Sequence, residues 1–555
     1  MADQQRPSVT LPQGKVIGIQ INDDFPQSVD AFLGIPYAQP PVGDLRFRPA
    51  VKIAPSTETI DASKYGPIAP GKALLQTGPK LEQSEDCLTV NIFRSSNNGN
   101  KSDKPLPVAI YIHGGAFNRG SASMHNTAPM VAWSAEPFIA VSFGYRLGAL
   151  GFLPSSVSKD EGVLNLGLRD QVLLMEWVQE NIALFGGDSE AVTLVGLSAG
   201  AHSIGHHLLN YTDSHSKPLF HRVIIESGAP TSRAVRPYNA SIHEAQFTDF
   251  LHAVGCPSTL LGSEIFPFLR SLPTETITSA QAAVFDKYNP SLRWAFQPVI
   301  DGDLIPRAPL DAWKQGLWHK VPILTGFTTN EGTMYVDKSM DEPAAFRSFW
   351  AELLPALSSE DLDTIERLYP DPASHPDSPY IETREGHGLG AQYKRIEAAY
   401  AHYAYVAPVR QTAEFATRQN PGSVYLYHWA LPRTVVGRAN HADNMYYETY
   451  NSAITGISET QKRLSGVLHA YLTSFIVAGD PNAVKGGLYA DRPVWGVYEA
   501  DKPKVLVFGE GIEELACGEN RGDGVVAEFR DDTWARGETG ETEFWWGKVE
   551  VSQVA

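Results

Sequence analysis

The sequence predicts an α/β fold, a central, mostly parallel, twisted sheet with helices on both faces. Two observations carry this. Short continuous apolar runs alternate with helical stretches through the first half, the pattern of parallel strands buried on both faces. Within that pattern, one strand passes through Gly-Leu-Ser-Ala-Gly (196–200) straight into a helix.

The strands are read in order. VAIYIHGG, from Val108, is a buried strand ending in glycines, and FIAVSFGYR, from Phe138, is a second. AVTLVGL, from Ala191, is a third. Between the last two, Leu168, Val172, Leu173, Trp177, Ile182 and Leu184 recur at roughly helical spacing, and Gly186-Gly187 stops that helix. Strand, helix, strand is a parallel crossover unit. HRVIIESG, KVPILTGF, SVYLYHW and KVLVFG, from His221, Lys320, Ser423 and Lys504, supply further strands.

A chain of 555 residues fits one large domain with insertions, or two domains. The segments near 240–295 and 335–420 are helix-rich and irregular. They read as insertions capping the site in a single domain over 1–555. Apolar residues at 43% supply a sizeable core. A formal charge of −18 argues against nucleic acid or an anionic membrane surface as partner. No apolar run approaches the roughly 18 residues of a spanning helix. The first residues show no secretory signal, and the last show no lipidation signal. Three cysteines, Cys87, Cys256 and Cys517, suggest free thiols in a reducing compartment.

Ser198 is the candidate nucleophile. It fits G-x-S-x-G between strand and helix, where small residues two positions either side let strand and helix pass closely. The turn lifts Oγ clear of the sheet and aims the helix N–H groups at it. A serine hydroxyl needs a base and oxyanion donors to react at neutral pH. His113-Gly114-Gly115-Ala116-Phe117, after the strand from Val108, suits the donors. The two motifs together specify the α/β-hydrolase fold.

Several longer blocks are similar to type-B carboxylesterases, the group of the cholinesterases and liver carboxylesterases. They are GIPYAQPPVGDLRFRPA from Gly34, EDCLTVNIF from Glu85, YRLGALGFL from Tyr145, NLGLRDQ from Asn165, and WVQENIALFGGD from Trp177 through VTLVGLSAG. The resemblance implies that Glu331 is the acid and His441 the base. It also implies that the N–H groups of Gly115, Ala116 and Ala199 are the oxyanion donors. The chain order Ser198, Glu331, His441 agrees. Asp301, in PVIDG, is a rival acid, and the test is which carboxylate reaches His441. Asp443 is too local to orient His441, and Ser227 lacks the second glycine. His202, His206 and His207 read as packing, not metal ligands.

Two departures narrow the substrate. Leu197 stands where the family usually has glutamate. The segment 67–84 lacks the tryptophan with which cholinesterases hold quaternary ammonium. With Leu197 and Phe117 at the pocket, an uncharged, apolar or aromatic ester is expected to pass through an acyl-Ser198 intermediate, with no cofactor and no metal. Acyl transfer or lactone chemistry on the same triad is the alternative, and a non-catalytic binding protein the third. No cysteine precedes Cys87, so the disulfide that secreted members form there is absent. With the missing signal, this predicts a cytoplasmic, intracellular protein of microbial or fungal type. Oligomeric state is not specified.

Overall fold

The computed structural model describes residues 6–72, 79–96, 104–210, 218–233, 235–382, 388–432, 440–517, 524–532 and 540–553. The strands are, in chain order, β1 Ser8–Leu11, β2 Gly14–Ile17, β3 Ile19–Ile21, β4 Val29–Pro36 and β5 Thr59–Asp61. They continue with β6 Thr89–Ser95, β7 Leu106–Ile112, β8 Ile139–Phe143, β9 Gly187–Leu197 and β10 Arg222–Glu226. The last are β11 Ile323–Thr328, β12 Val424–Trp429, β13 Lys504–Phe508 and β14 Ala527–Asp531. Among the described residues, β1, β2 and β5 form a small 3-stranded sheet. The others form an 11-stranded sheet in the order β14-β13-β12-β11-β10-β9-β7-β8-β6-β4-β3.

From β8 through β13 neighbouring strands are parallel. The N-terminal strands β3, β4 and β6 and the far edge strand β14 pair antiparallel. Parallel strands need both faces covered, and β8, β10, β11 and β12 are accordingly buried along almost their whole length. Strand order turns back at β7. Its successor β8 lies on one side, and the chain then crosses to β9 on the other. In an open sheet of this kind, ligands bind beyond the carboxyl ends of the strands at such a reversal. The segments leaving β7 and β9 are His113–Phe117 and Ser198.

Helix Leu166–Asn181 crosses from β8 toward β9 and tightens into a 3₁₀ turn over Ile182–Phe185. Its buried face is not quite the expected one. Leu168, Trp177 and Ile182 are buried, with Leu174, Met175 and Val178 beside them. Val172 and Leu173 are only half-buried, and Leu184 is 49% exposed. The 3₁₀ turn has three residues per turn, so it rotates Leu184 off the helical face. The segments 240–295 and 335–420 hold helices Ser241–Ala253, Gly262–Ser271, Thr274–Tyr288, Pro343–Leu353, Ser359–Leu368, Tyr393–Ala401 and Ala407–Gln419.

The longer sequence blocks contain buried ion pairs. Arg146 donates to both oxygens of Asp170, at 2.8 and 2.6 Å, and ties the start of YRLGALGFL to NLGLRDQ. Arg46 makes the same fork on Glu85, at 2.8 and 2.6 Å. Removing one partner of either pair strands a buried charge. Cys87 and Cys256 are free thiols. Cys87 is fully buried in the core, where burial pushes its thiol pKa up.

The strand-to-helix turn depends on two glycines. A Cβ on Gly200 would stand 1.9 Å from the Ile112 carbonyl oxygen, and one on Gly196 would stand 2.7 Å from the Gly200 carbonyl carbon. Both obstacles are backbone and cannot swing aside. Gly200→Ala is therefore expected to lower stability by roughly 3 kcal/mol or more, and chemical denaturation of wild type and variant measures it.

Candidate active site

Ser198 follows β9 with φ 60° and ψ −122°, a region that side-chain-bearing residues rarely adopt. The turn is tied on both sides. Ser198 N–H donates to the Glu226 carbonyl at 2.9 Å, and the Ser198 carbonyl accepts from His202 N–H at 2.9 Å. The second bond draws that carbonyl down the helix Ala199–Leu209. A trans peptide places its N–H opposite its C=O, so Ala199 N–H faces the site.

The turn after β7 presents further donors by the same logic. The Gly115 carbonyl accepts from Asn118 N–H and Arg119 N–H, both at 3.1 Å. Ala116 N–H therefore points the other way. Among the described residues nothing accepts from Gly115 or Ala116 N–H. Asn118 and Gln297 side chains donate to the Ala116 carbonyl at 2.9 and 3.0 Å and hold the next peptide. Gly115, Ala116 and Phe117 all have positive φ. Gly114 runs against the serine turn, since its Cβ would lie 2.7 Å from the Leu197 oxygen and 3.0 Å from Ser198 Cβ. Leu197 and Phe117 are buried beside it.

Glu331 and His441 come from the loops after β11 and β12, which are parallel neighbours. An isolated bridge between Asn330 and Asn440 joins the two loops, and Thr333 Oγ1 donates to Asn440 Oδ1 at 2.7 Å. Glu331 Oε2 and His441 Nδ1 are 2.6 Å apart, both groups buried. Glu331 Oε1 accepts from Thr328 N–H at 2.8 Å. With Nδ1 held by the carboxylate, His441 Nε2 is left buried with no hydrogen bond among the described residues.

The rival acids lie elsewhere. Asp301 Oδ1 accepts from the N–H groups of Asp303 and Ile305, both at 2.9 Å. Asp443 accepts from Asn440 N–H at 3.0 Å within its own turn. Ser227 is buried under the sheet end. His207 Nε2 bonds Gln171 Oε1 at 2.8 Å and His202 Nδ1 the Ala229 carbonyl at 3.0 Å. Among the described residues no cluster of three or more His, Cys, Asp or Glu is placed to hold a metal.

Sequence reasoning missed the groups around His441. Tyr405 packs on its ring with centroids 4.5 Å apart and the planes tilted by 42°, and Tyr335 meets it edge-on at 5.4 Å. Tyr405 lies in a π-helical turn, His402–Val406, a local distortion common at functional sites. Its hydroxyl accepts from Arg233. Glu397 backs Glu331, accepting from Gly332 N–H at 3.3 Å, and burial pushes its pKa up to about 7.

A second buried group lies beneath the serine. Glu226 Oε1 accepts from Tyr427 Oη at 2.6 Å and from Asn444 at 3.0 Å. Glu448 faces it, with His125 Nε2 3.2 Å from Glu448 Oε1. Burial pushes Glu448 up to about 8, and burial with the Glu448 charge pushes Glu226 well above the carboxylate range.

A family model described as the carboxylesterase family matches residues 5–520. The chain belongs to the carboxylesterase family. It is 36% identical over 507 residues to Secreted lipase 4 of Gibberella zeae, covering 89% of this chain and 87% of that one. It is 34% identical over 437 residues to Lipase 4 of Diutina rugosa, covering 73% and 76%. The crystal structure of Aspergillus niger EstA matches with a TM-score of 0.80 at 26% identity, over 100% of both chains. This esterase thus has the α/β-hydrolase fold and is a carboxylic ester hydrolase. The relatives favour hydrolysis over acyl transfer.

One expectation is corrected. A cytoplasmic, intracellular location is overturned by the secreted relative. The physical reason lies in Cys87. A fully buried, protonated thiol packed in the core is an inert small apolar group, so scarce disulfides do not define a reducing compartment. Among the described residues no helix is long and apolar enough to cross a membrane. The segment 67–84 is described except for 73–78.

The buried Glu448 makes stability depend on pH. A carboxyl whose folded pKa is raised stabilises the fold fully below its ordinary 4.5 and loses that contribution as pH rises through about 8. Glu448→Gln keeps the shape and cannot ionise. Its melting temperature is expected to fall less than that of wild type between pH 5 and about 8, as thermal unfolding across that range measures.

Proposed function

We propose that Ser198, His441 and Glu331 form the catalytic triad, with the N–H groups of Gly115, Ala116 and Ala199 as the oxyanion hole, in one domain capped by the helix-rich insertions. The observation that carries this is the 2.6 Å contact between Glu331 and His441 Nδ1 with Nε2 left unpaired. Such an imidazole is set in the tautomer that accepts a proton at Nε2.

His441 takes the Ser198 proton as Oγ attacks the ester carbonyl. Negative charge on the carbonyl oxygen meets the three N–H groups, which need no reorganisation to receive it. The tetrahedral intermediate collapses, and His441 returns the proton to the leaving alcohol. Water, deprotonated by His441, then releases the acid from Ser198. Glu331 stabilises the imidazolium in both steps. Tyr405 and Tyr335 cover the ring and keep water from competing for it.

At the ester bond the site suits apolar or aromatic groups. Leu197 places a buried alkyl side chain where the family's glutamate would attract a cation, and Phe117 borders the donors. The secreted relative supports action outside the cell.

Ser198→Ala is expected to lower kcat on an aryl ester by about 10⁶-fold, leaving only donor-hole catalysis. Glu331→Gln is expected to lower it by about 10⁴-fold with KM little changed. Steady-state kinetics on purified variants measures both.

A further inference from the structure

A cleft opens beside this site on the oxyanion-hole side. Phe117 and His202 border it near the serine, and Arg233, Arg236, Arg293 and His243 line its walls. His202 is one helical turn beyond Ser198, about 6 Å along the axis.

The polar lining of the cleft is one-sided in charge. The Nε atoms of Arg233, Arg236 and Arg293 are buried without a hydrogen-bond partner, as is one terminal nitrogen of Arg233. His202 Nε2, His243 Nε2 and the Ser232 hydroxyl are in the same condition. Arg236 is 7% exposed, and His202 and His243 are each 4% exposed. Among the described residues no carboxylate lines the cleft, and none of the three arginines has an ion-pair partner. Arg233 is partly compensated by the Tyr405 hydroxyl, by the neighbouring Tyr400 and by the Trp294 ring 4.0 Å away. This stands in a chain of formal charge −18, so a general excess of basic residues does not account for it.

Buried guanidinium groups without a counter-charge are costly. Burial, with Arg293 as a like-charged neighbour, holds Arg236 down to about 10. Burial, followed by the Arg236 charge, pushes His243 down to about 3, so that histidine stays neutral and donates or accepts without adding charge. A bound cation would meet the arginines' repulsion. An anion would satisfy several unpaired donors at once, and the planar guanidinium fork matches a carboxylate.

We infer that this cleft is an anion subsite and that the esterase acts on esters whose acyl part ends in a carboxylate. The inference rests on the Ser198 triad. The cleft borders Phe117, on the turn that carries the oxyanion donors, and His202, on the helix that begins at Ala199, so it opens where the carbonyl and its acyl chain would lie. Ester and water give the alcohol, a dicarboxylate and one proton, with the acyl group passing through Ser198 Oγ. Leu197 and the missing tryptophan argue against a cation and leave room for an anion. The apolar preference at the ester bond is unchanged, and the charge is read one helical turn away.

The test compares an aryl butyrate with the aryl hemiester of glutaric acid, sharing one phenol leaving group. The expected kcat/KM is at least tenfold higher for the hemiester. Arg236→Met and Arg293→Met should each lower that ratio at least tenfold, mainly through KM, and Arg236→Lys should retain part of it. A ratio taken on one sample is independent of how much protein is folded. Calorimetry with free glutarate, on wild type and on Ser198→Ala, reads the subsite without chemistry and should show saturable binding to both. A ratio near one, unmoved by the arginine variants and accompanied by no glutarate binding, overturns the subsite and leaves the triad standing. Full turnover by Ser198→Ala, with glutarate still bound, overturns the triad instead.

Discussion

The turn at Ser198 holds a side-chain-bearing residue at φ 60° and ψ −122°, and the rest of the site is arranged around keeping it there. Strain of this kind costs on the order of 1–3 kcal/mol and persists only where surroundings over-determine it. Here those surroundings are backbone. Gly200 lies against the end of β7, Gly114 against the serine itself, and Glu226 accepts the serine N–H. The same contacts that hold the turn bring the donors after β7 next to the nucleophile after β9. Strand order reverses at β7, so one close approach builds both the proposed nucleophile and its proposed oxyanion donors.

Acidic and basic groups are layered around that turn. The carboxyl groups are behind it: Glu331 and Glu397 on the loop side of His441, and Glu226 with Glu448 beneath Ser198. The cations are to the side, on Arg233, Arg236 and Arg293. His441 sits between the two layers, held at Nδ1 by Glu331 and covered by Tyr405 and Tyr335. Through Arg233 and Tyr405 the cationic wall touches the ring that carries the proton. Packing through Tyr405 thus links the cationic wall to the His441 ring, and among the described residues no carboxylate lines the cleft.

The strands and the serine turn were legible because their signals are local. A buried parallel strand is an unbroken apolar run, and a glycine two residues from the serine states its own steric reason. Family resemblance pointed to Glu331 and His441, and only the fold shows that Glu331 meets His441 while the Asp301 carboxylate caps its own loop. The helical face of 166–185 was misread at Leu184 because a 3₁₀ end changes the period without changing the composition. The arginine wall was not legible at all. Arg233 and Tyr405 are 172 residues apart, and Arg293 reaches the cleft from an insertion. Arg233 and Arg236, close together after IIESG, were the only hint, and exposed arginine pairs are common. The cytoplasmic expectation failed for a related reason, since cysteine count is a bulk property and Cys87 is a packing residue.

The central claim is that one residue, held in one strained turn, is the nucleophile. Treatment with an aryl organophosphate, followed by peptide mass spectrometry, tests it most directly. The account predicts one phosphoryl group per chain, on the peptide containing Ser198, with labelling slowed when His441 is replaced by alanine. Labelling at Ser227 or another serine, or equal labelling without His441, would contradict it.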